Sequence, residues 1–85
     1  MTIRDLLNQI LWDKRFRVSD YVITFVHRGE KDDRKTISFS LITEVKASYF
    51  VYGDEEDIII PFHRILEIRN IRTGEVIWQK RRSNK

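Results

Sequence analysis

The sequence predicts an α+β fold: one N-terminal helix packed on a curved antiparallel sheet of five to six strands, a sheet that can curl into a partly closed barrel. Three observations predict it. Apolar residues recur at helical spacing over Ile3–Leu11 and nowhere later. From residue 14 onward the chain is rich in β-branched and aromatic residues, broken by short polar turns. Two segments echo one another in a way that suggests two similar corners, and corners bend a sheet toward closure.

The elements follow in chain order. Ile3, Leu6, Leu7, Ile10 and Leu11 fall at i, i+3, i+4, i+7 and i+8, one apolar stripe of a helix. Thr2 with Asp5 three residues on makes a capping-box start. The pattern stops near Trp12-Asp13, so the helix is short and must dock on the sheet to be stable. Residues 21–26 read as the first strand. A charged turn over 29–34 leads to a second strand near 35–39. Further strands are expected near 42–46, 49–52 and 57–60, with a hairpin tip at Gly53-Asp54-Glu55-Glu56. A last hairpin joins 65–71 to 75–80 around Thr73-Gly74. The echo aligns Ile37-Ser38-Phe39-Ser40-Leu41-Ile42-Thr43-Glu44-Val45 with Ile60-Pro61-Phe62-His63-Arg64-Ile65-Leu66-Glu67-Ile68. Each copy reads as strand, one tight turn, strand.

Length and composition bound the function. The chain has 85 residues, with 41% hydrophobic and 34% charged, which suits one small folded domain over 1–80. There is no cysteine, so disulfides, thiolate nucleophiles and Cys-ligated metals are excluded. No apolar run approaches a membrane span and the N-terminus shows no signal core, so a cytoplasmic protein without a membrane partner is expected. The net charge of +3 is concentrated at one end. Setting aside Lys80, Arg81, Arg82 and Lys85 leaves 12 basic residues against 13 acidic ones. The molecule is thus a neutral body with a basic C-terminal tail over 81–85. Such a tail suits nucleic acid or another anionic surface, or simply solubilises a frayed end. The charge content favours a monomer, with an edge strand as the means of a weak homodimer.

The chemistry-bearing residues are few. The two histidines are each followed by arginine, in His27-Arg28-Gly29 and His63-Arg64, where strands run out into turns. Arginine presents a planar fork to phosphate, and histidine can donate to an anion. Gly29 would let a phosphate approach the backbone. The structural reading is that both histidines are half-buried polar caps. If 35–46 is one bent strand, a simple meander puts the two turns at opposite ends. If it breaks at Ser40 they share an end, and the corner reading favours this.

A histidine pair can also act as acid and base on an RNA phosphodiester. Two-histidine phosphoesterases carry a hydroxyl residue two positions after each histidine, however, and here those positions hold Gly29 and Ile65. No phosphate loop or nucleophile elbow is present, so no catalytic residue is assigned. No His-x-His or His-x-x-x-His spacing suggests a metal, and no cofactor is expected. The acidic run over 54–57 lacks the alternation of a calcium loop and reads as a solvated tip that would repel a polyanion. Most of the ten aromatics must be core. Tyr49 and Tyr52 have opposite parity, so at least one faces outward, where it could stack a base.

The order Leu11-Trp12-Asp13, Tyr21 to His27-Arg28-Gly29, Ile60-Pro61-Phe62-His63-Arg64-Ile65 and Gly74-Glu75-Val76-Ile77-Trp78 resembles the small, mostly archaeal RNA cyclic group end recognition domain family. The resemblance runs from about residue 3 to residue 80. It implies an RNA-binding module that recognises RNA ends, the 2′,3′-cyclic phosphate terminus in particular. On this reading RNA is the partner, with His27, Arg28, Gly29, His63, Arg64 and Trp12 as phosphate or RNA contacts. Lys80, Arg81 and Arg82 add secondary RNA contacts. The alternatives are a small phosphodiesterase on such ends using both histidines, and a protein-interaction module without a nucleic-acid role. Lys14 stands where the family often has proline, which concerns the turn after the helix.

Overall fold

The computed structural model describes residues 2–29, 31–53 and 55–80. Its helix, α1, spans Ile3–Trp12. The predicted capping box is present: Thr2 Oγ1 accepts from the Asp5 N–H at 3.1 Å, and the Asp5 carboxylate accepts from the Thr2 N–H at 3.2 Å. These bonds satisfy two amide donors that a helix start otherwise leaves without partners. They also hold the Asp5 carboxyl below its ordinary range, the Thr2 backbone N–H first and its side chain second. The apolar stripe is buried as Leu6, Leu7 and Ile10.

After α1 the turn is held by Asp13. Its N–H donates to the Gln9 carbonyl at 2.9 Å, and its carboxylate accepts from the Arg15 amide at 2.9 Å and from the Arg15 guanidinium at 2.8 Å. The guanidinium bonds, and then the amide, pull the Asp13 carboxyl down to about 2. Lys14 is accommodated within this side-chain-stapled turn.

Seven strands follow: β1 (Tyr21–Val26), β2 (Arg34–Ser38), β3 (Ile42–Val45), β4 (Tyr49–Tyr52), β5 (Ile58–Pro61), β6 (Ile65–Asn70) and β7 (Val76–Gln79). They form a four-stranded sheet, β2-β1-β6-β7, and a three-stranded sheet, β3-β4-β5, antiparallel throughout. This corrects the expectation of one sheet of five to six strands, partly closed into a barrel. The α+β class and the single helix stand. The sheet divides because each corner is a full 3₁₀ turn, over Phe39–Leu41 and Phe62–Arg64. Such a turn ends one ladder and starts another. The first corner carries the chain from the four-stranded sheet to the three-stranded one, and the second carries it back. No closed barrel forms among the described residues.

The inward faces of both sheets and α1 share one core. Ile23, Phe25, Phe39, Phe50, Ile65 and Ile68 are fully buried in it together with Leu7 and Ile10. Burial of each such side chain contributes roughly 1.5–3 kcal/mol. Phe25 is central, meeting Phe50 edge-on at 5.9 Å and Tyr52 at 5.5 Å between ring centroids. The Tyr52 hydroxyl is buried and has no hydrogen-bond partner among the described residues. Gly53 ends β4 at a φ of +122°, and a Cβ there would run into the Glu56 carbonyl, so only glycine fits.

Candidate functional site

Strand register decides where the two His-Arg pairs lie. β1 runs antiparallel to β6, and their last pair is Phe25 with Ile65. His27 lies two residues beyond Phe25, and His63 lies two residues before Ile65. The two chains leave the ladder side by side, about 5 Å apart at that pair. Both pairs therefore sit at one end of one sheet, the arrangement that a break in the chain near Ser40 allows.

A bulge lies immediately before this end. Thr24 faces Glu67 but Phe25 faces Ile65, so Leu66 is extra on β6. Bulges bend a strand and re-aim its side chains. The Leu66 carbonyl accepts from the Lys80 amide at 2.9 Å, and Lys80 Nζ donates to the His63 carbonyl at 2.7 Å. Lys80 is thus tied to the second corner through both backbone and side chain.

The His27 ring continues the inward parity of Tyr21, Ile23 and Phe25. Its centroid lies 6.2 Å from that of Phe25, and its Nδ1 is buried with no hydrogen-bond partner among the described residues. A buried polar nitrogen without a partner is costly unless something satisfies it. Arg28, His63 and Arg64 are exposed. Gly29 has a φ of +93°, with open space around its Cα. The loop beyond it closes through the His27 N–H to the Asp33 carbonyl at 2.8 Å.

Two features of this end escaped the sequence reading. Arg34 pairs with Val26 in the β1–β2 ladder, which adds a further guanidinium to the same end. Asp32 and Asp33, exposed and in left-handed backbone with φ of 64° and 55°, lie in the same loop. Aspartate tolerates that conformation better than most residues. All three lie in the charged turn expected over 29–34, a turn with no expected part in the site.

The two corners act as an internal comparison. Both are three-residue 3₁₀ turns with nearly the same flanking backbone: φ/ψ of −75°/144° at Ser38 and −62°/146° at Pro61, then −75°/125° at Ile42 and −69°/129° at Ile65. The first corner has Ser40 and Leu41 where the second has His63 and Arg64. The turn itself therefore does not require His-Arg.

Other predicted contacts fall elsewhere. Trp12 is 72% exposed at the end of α1, and no ring contact or hydrogen bond links it to either His-Arg pair among the described residues. Four residues later Phe16 packs edge-on against Tyr21, at the opposite end of β1 from His27. Arg81 and Arg82 lie outside the described residues. The acidic tip is remote from the corner, since Tyr52 pairs with Ile58 at the tip end of the β4–β5 hairpin and Tyr49 pairs with Pro61 at the corner end. A groove of about 400 Å³ lies on that tip side, lined in part by Lys35, Leu41, Tyr52, Glu55 and Glu56. Its two carboxylates against one cation make it a poor seat for a polyanion. No cluster of His, Asp and Glu suited to a metal ion occurs among the described residues, and no helix is long and apolar enough to cross a membrane.

Comparison with known proteins finds relatives over nearly the whole chain. A UPF0248 protein of Methanococcus vannielii is 41% identical over 78 residues, which is 92% of this chain and 90% of the relative. UPF0248 protein MJ1316 of Methanocaldococcus jannaschii is 38% identical over 79 residues, 93% of this chain and 94% of the relative. A UPF0248 protein of Saccharolobus islandicus is 36% identical over 80 residues and is covered along its whole length. No solved structure matches. The model of the MJ1316 RNA cyclic group end recognition domain matches residues 1–80, and the chain belongs to that family.

Proposed function

We propose that this protein is a binding module for RNA ends that carry a terminal phosphate, the 2′,3′-cyclic phosphate above all. The observation that carries the reading is the β1–β6 register, which brings both His-Arg pairs to one end of one sheet. Arg28 and Arg64 present guanidinium forks to the free phosphate oxygens, and charge-assisted bonds of this kind are the strong ones. His63 donates to the same group, and so does His27 through its other ring nitrogen, since its Nδ1 is buried toward Phe25. Lys80 adds charge at the His63 corner. Arg81 and Arg82, next in sequence, extend a sequence-independent attraction for the RNA backbone. The description of the family points the same way.

The test compares one short RNA, labelled at its 5′ end, bearing a 2′,3′-cyclic phosphate, a 3′-phosphate or a 3′-hydroxyl. Affinities are read by fluorescence anisotropy at one fixed salt concentration. A cyclic phosphate carries less negative charge than a 3′-monophosphate, so simple charge attraction would rank the linear phosphate first. Tightest binding of the cyclic end is the expected result. Equal binding of all three would reduce the protein to a generic cationic RNA binder and overturn the proposal.

A further inference from the structure

The aromatic next to the corner has a place in the same site. Along β4, Phe50, Val51 and Tyr52 are buried and Tyr49, of the parity opposite to Phe50 and Tyr52, is half-buried. Tyr49 pairs with Pro61, the residue immediately before the second corner. The Phe62 amide, the first of the corner, donates to the Ser48 carbonyl at 2.9 Å and fixes the start of β4 against it. On the face that Tyr49 shares, Val51 is buried at 6% exposure and pairs with Ile59, which is 57% exposed. Tyr49 and Ile59 are thus the parts of this face that reach solvent, with Tyr49 at the corner end. One cross-strand step of about 5 Å and two residues of chain separate the Tyr49 and His63 backbones.

We infer that Tyr49 stacks the nucleobase of the terminal nucleotide whose phosphate lies at the two His-Arg pairs. This rests on the proposed function and extends it from the phosphate to the base. Charge complementarity assigns the occupant. A group that lies on an apolar ring while its anionic end meets arginines is a nucleotide, and every base has a face to stack. Tyr52, the other tyrosine of the strand, is 3% exposed and closed to this role.

The test uses two RNAs with the same cyclic phosphate end, one finishing in adenosine and one in an abasic ribose, plus the adenosine RNA with a 3′-hydroxyl. The native protein is expected to bind the adenosine end about tenfold more tightly than the abasic end, the scale of one stacked base. In Tyr49→Leu that gap closes through weaker binding of adenosine alone, while preference for the cyclic end over the hydroxyl persists. Tyr49→Phe keeps the gap. Equal binding of adenosine and abasic ends by the native protein, or a gap unchanged in a folded Tyr49→Leu, would overturn the inference and leave phosphate recognition intact. Loss of the cyclic-over-hydroxyl preference in the native protein would instead bring down the phosphate reading. The native protein's abasic comparison decides the matter even where Tyr49→Leu fails to fold.

Discussion

Lys80 Nζ donates a hydrogen bond to the backbone carbonyl of His63 at 2.7 Å, across 17 residues of sequence. With its own amide on the Leu66 carbonyl, it fastens the end of β7 to the corner that carries His63 and Arg64. The last cation of the described chain therefore lies beside that corner.

Replacing Lys80 by methionine separates charge from packing. The side chain is exposed and makes one hydrogen bond, so stability should fall by no more than about 1.5 kcal/mol. Affinity for RNA should fall severalfold, and the slope of log K against log salt should flatten by about one, as for the loss of one phosphate contact. Titration of one RNA at several salt concentrations reads both. An unchanged slope would remove Lys80 from the interface.

The Tyr52 hydroxyl is a different case, since it is buried without a hydrogen-bond partner among the described residues while its ring packs on Phe25 and Phe50. Tyr52→Phe keeps the ring and removes the uncompensated group. The expected result is equal or higher stability, by up to about 2 kcal/mol, in urea unfolding. A clear loss of stability would show that the hydroxyl makes a bond the fold depends on.

Acid should weaken the helix start and the turn after it. Asp5 and Asp13 both have carboxyls held below their ordinary value of 3.8, by Thr2 and by Arg15 respectively. A depressed carboxyl stabilises the fold above the unfolded value, and that contribution disappears as pH falls through the folded value. For Asp13 the window runs from its ordinary 3.8 down to about 2. The melting-point gap between the native protein and Asp13→Asn should be present at pH 5 and largely gone by pH 2. A gap that does not move with pH would contradict the assignment.

Much of this was legible in the sequence because it is local. The Thr2–Asp5 box and the stripe from Ile3 to Leu11 gave α1 to within a residue, and alternation located β1 and β4 at their observed bounds. The Phe39 and Phe62 echo marked both corners. Alternation reports which face of a strand is apolar but not which strand lies beside it. The pairing of β1 with β6 spans about half the chain, and so the division into two sheets was not visible. Trp12 entered the expected site by motif order, whereas the structure leaves it exposed and without a link to either His-Arg pair.

The central claim is that the two His-Arg pairs form one site rather than two, and a double-mutant cycle tests it directly. Arg28→Ala, Arg64→Ala and the double variant would be titrated with RNA ending in a 2′,3′-cyclic phosphate. Each single change should weaken binding about tenfold or more. The double variant should lose much less than the two losses combined, with a coupling above about 1 kcal/mol, because both arginines hold the same phosphate. Strictly additive losses, or single changes without effect, would contradict a shared site.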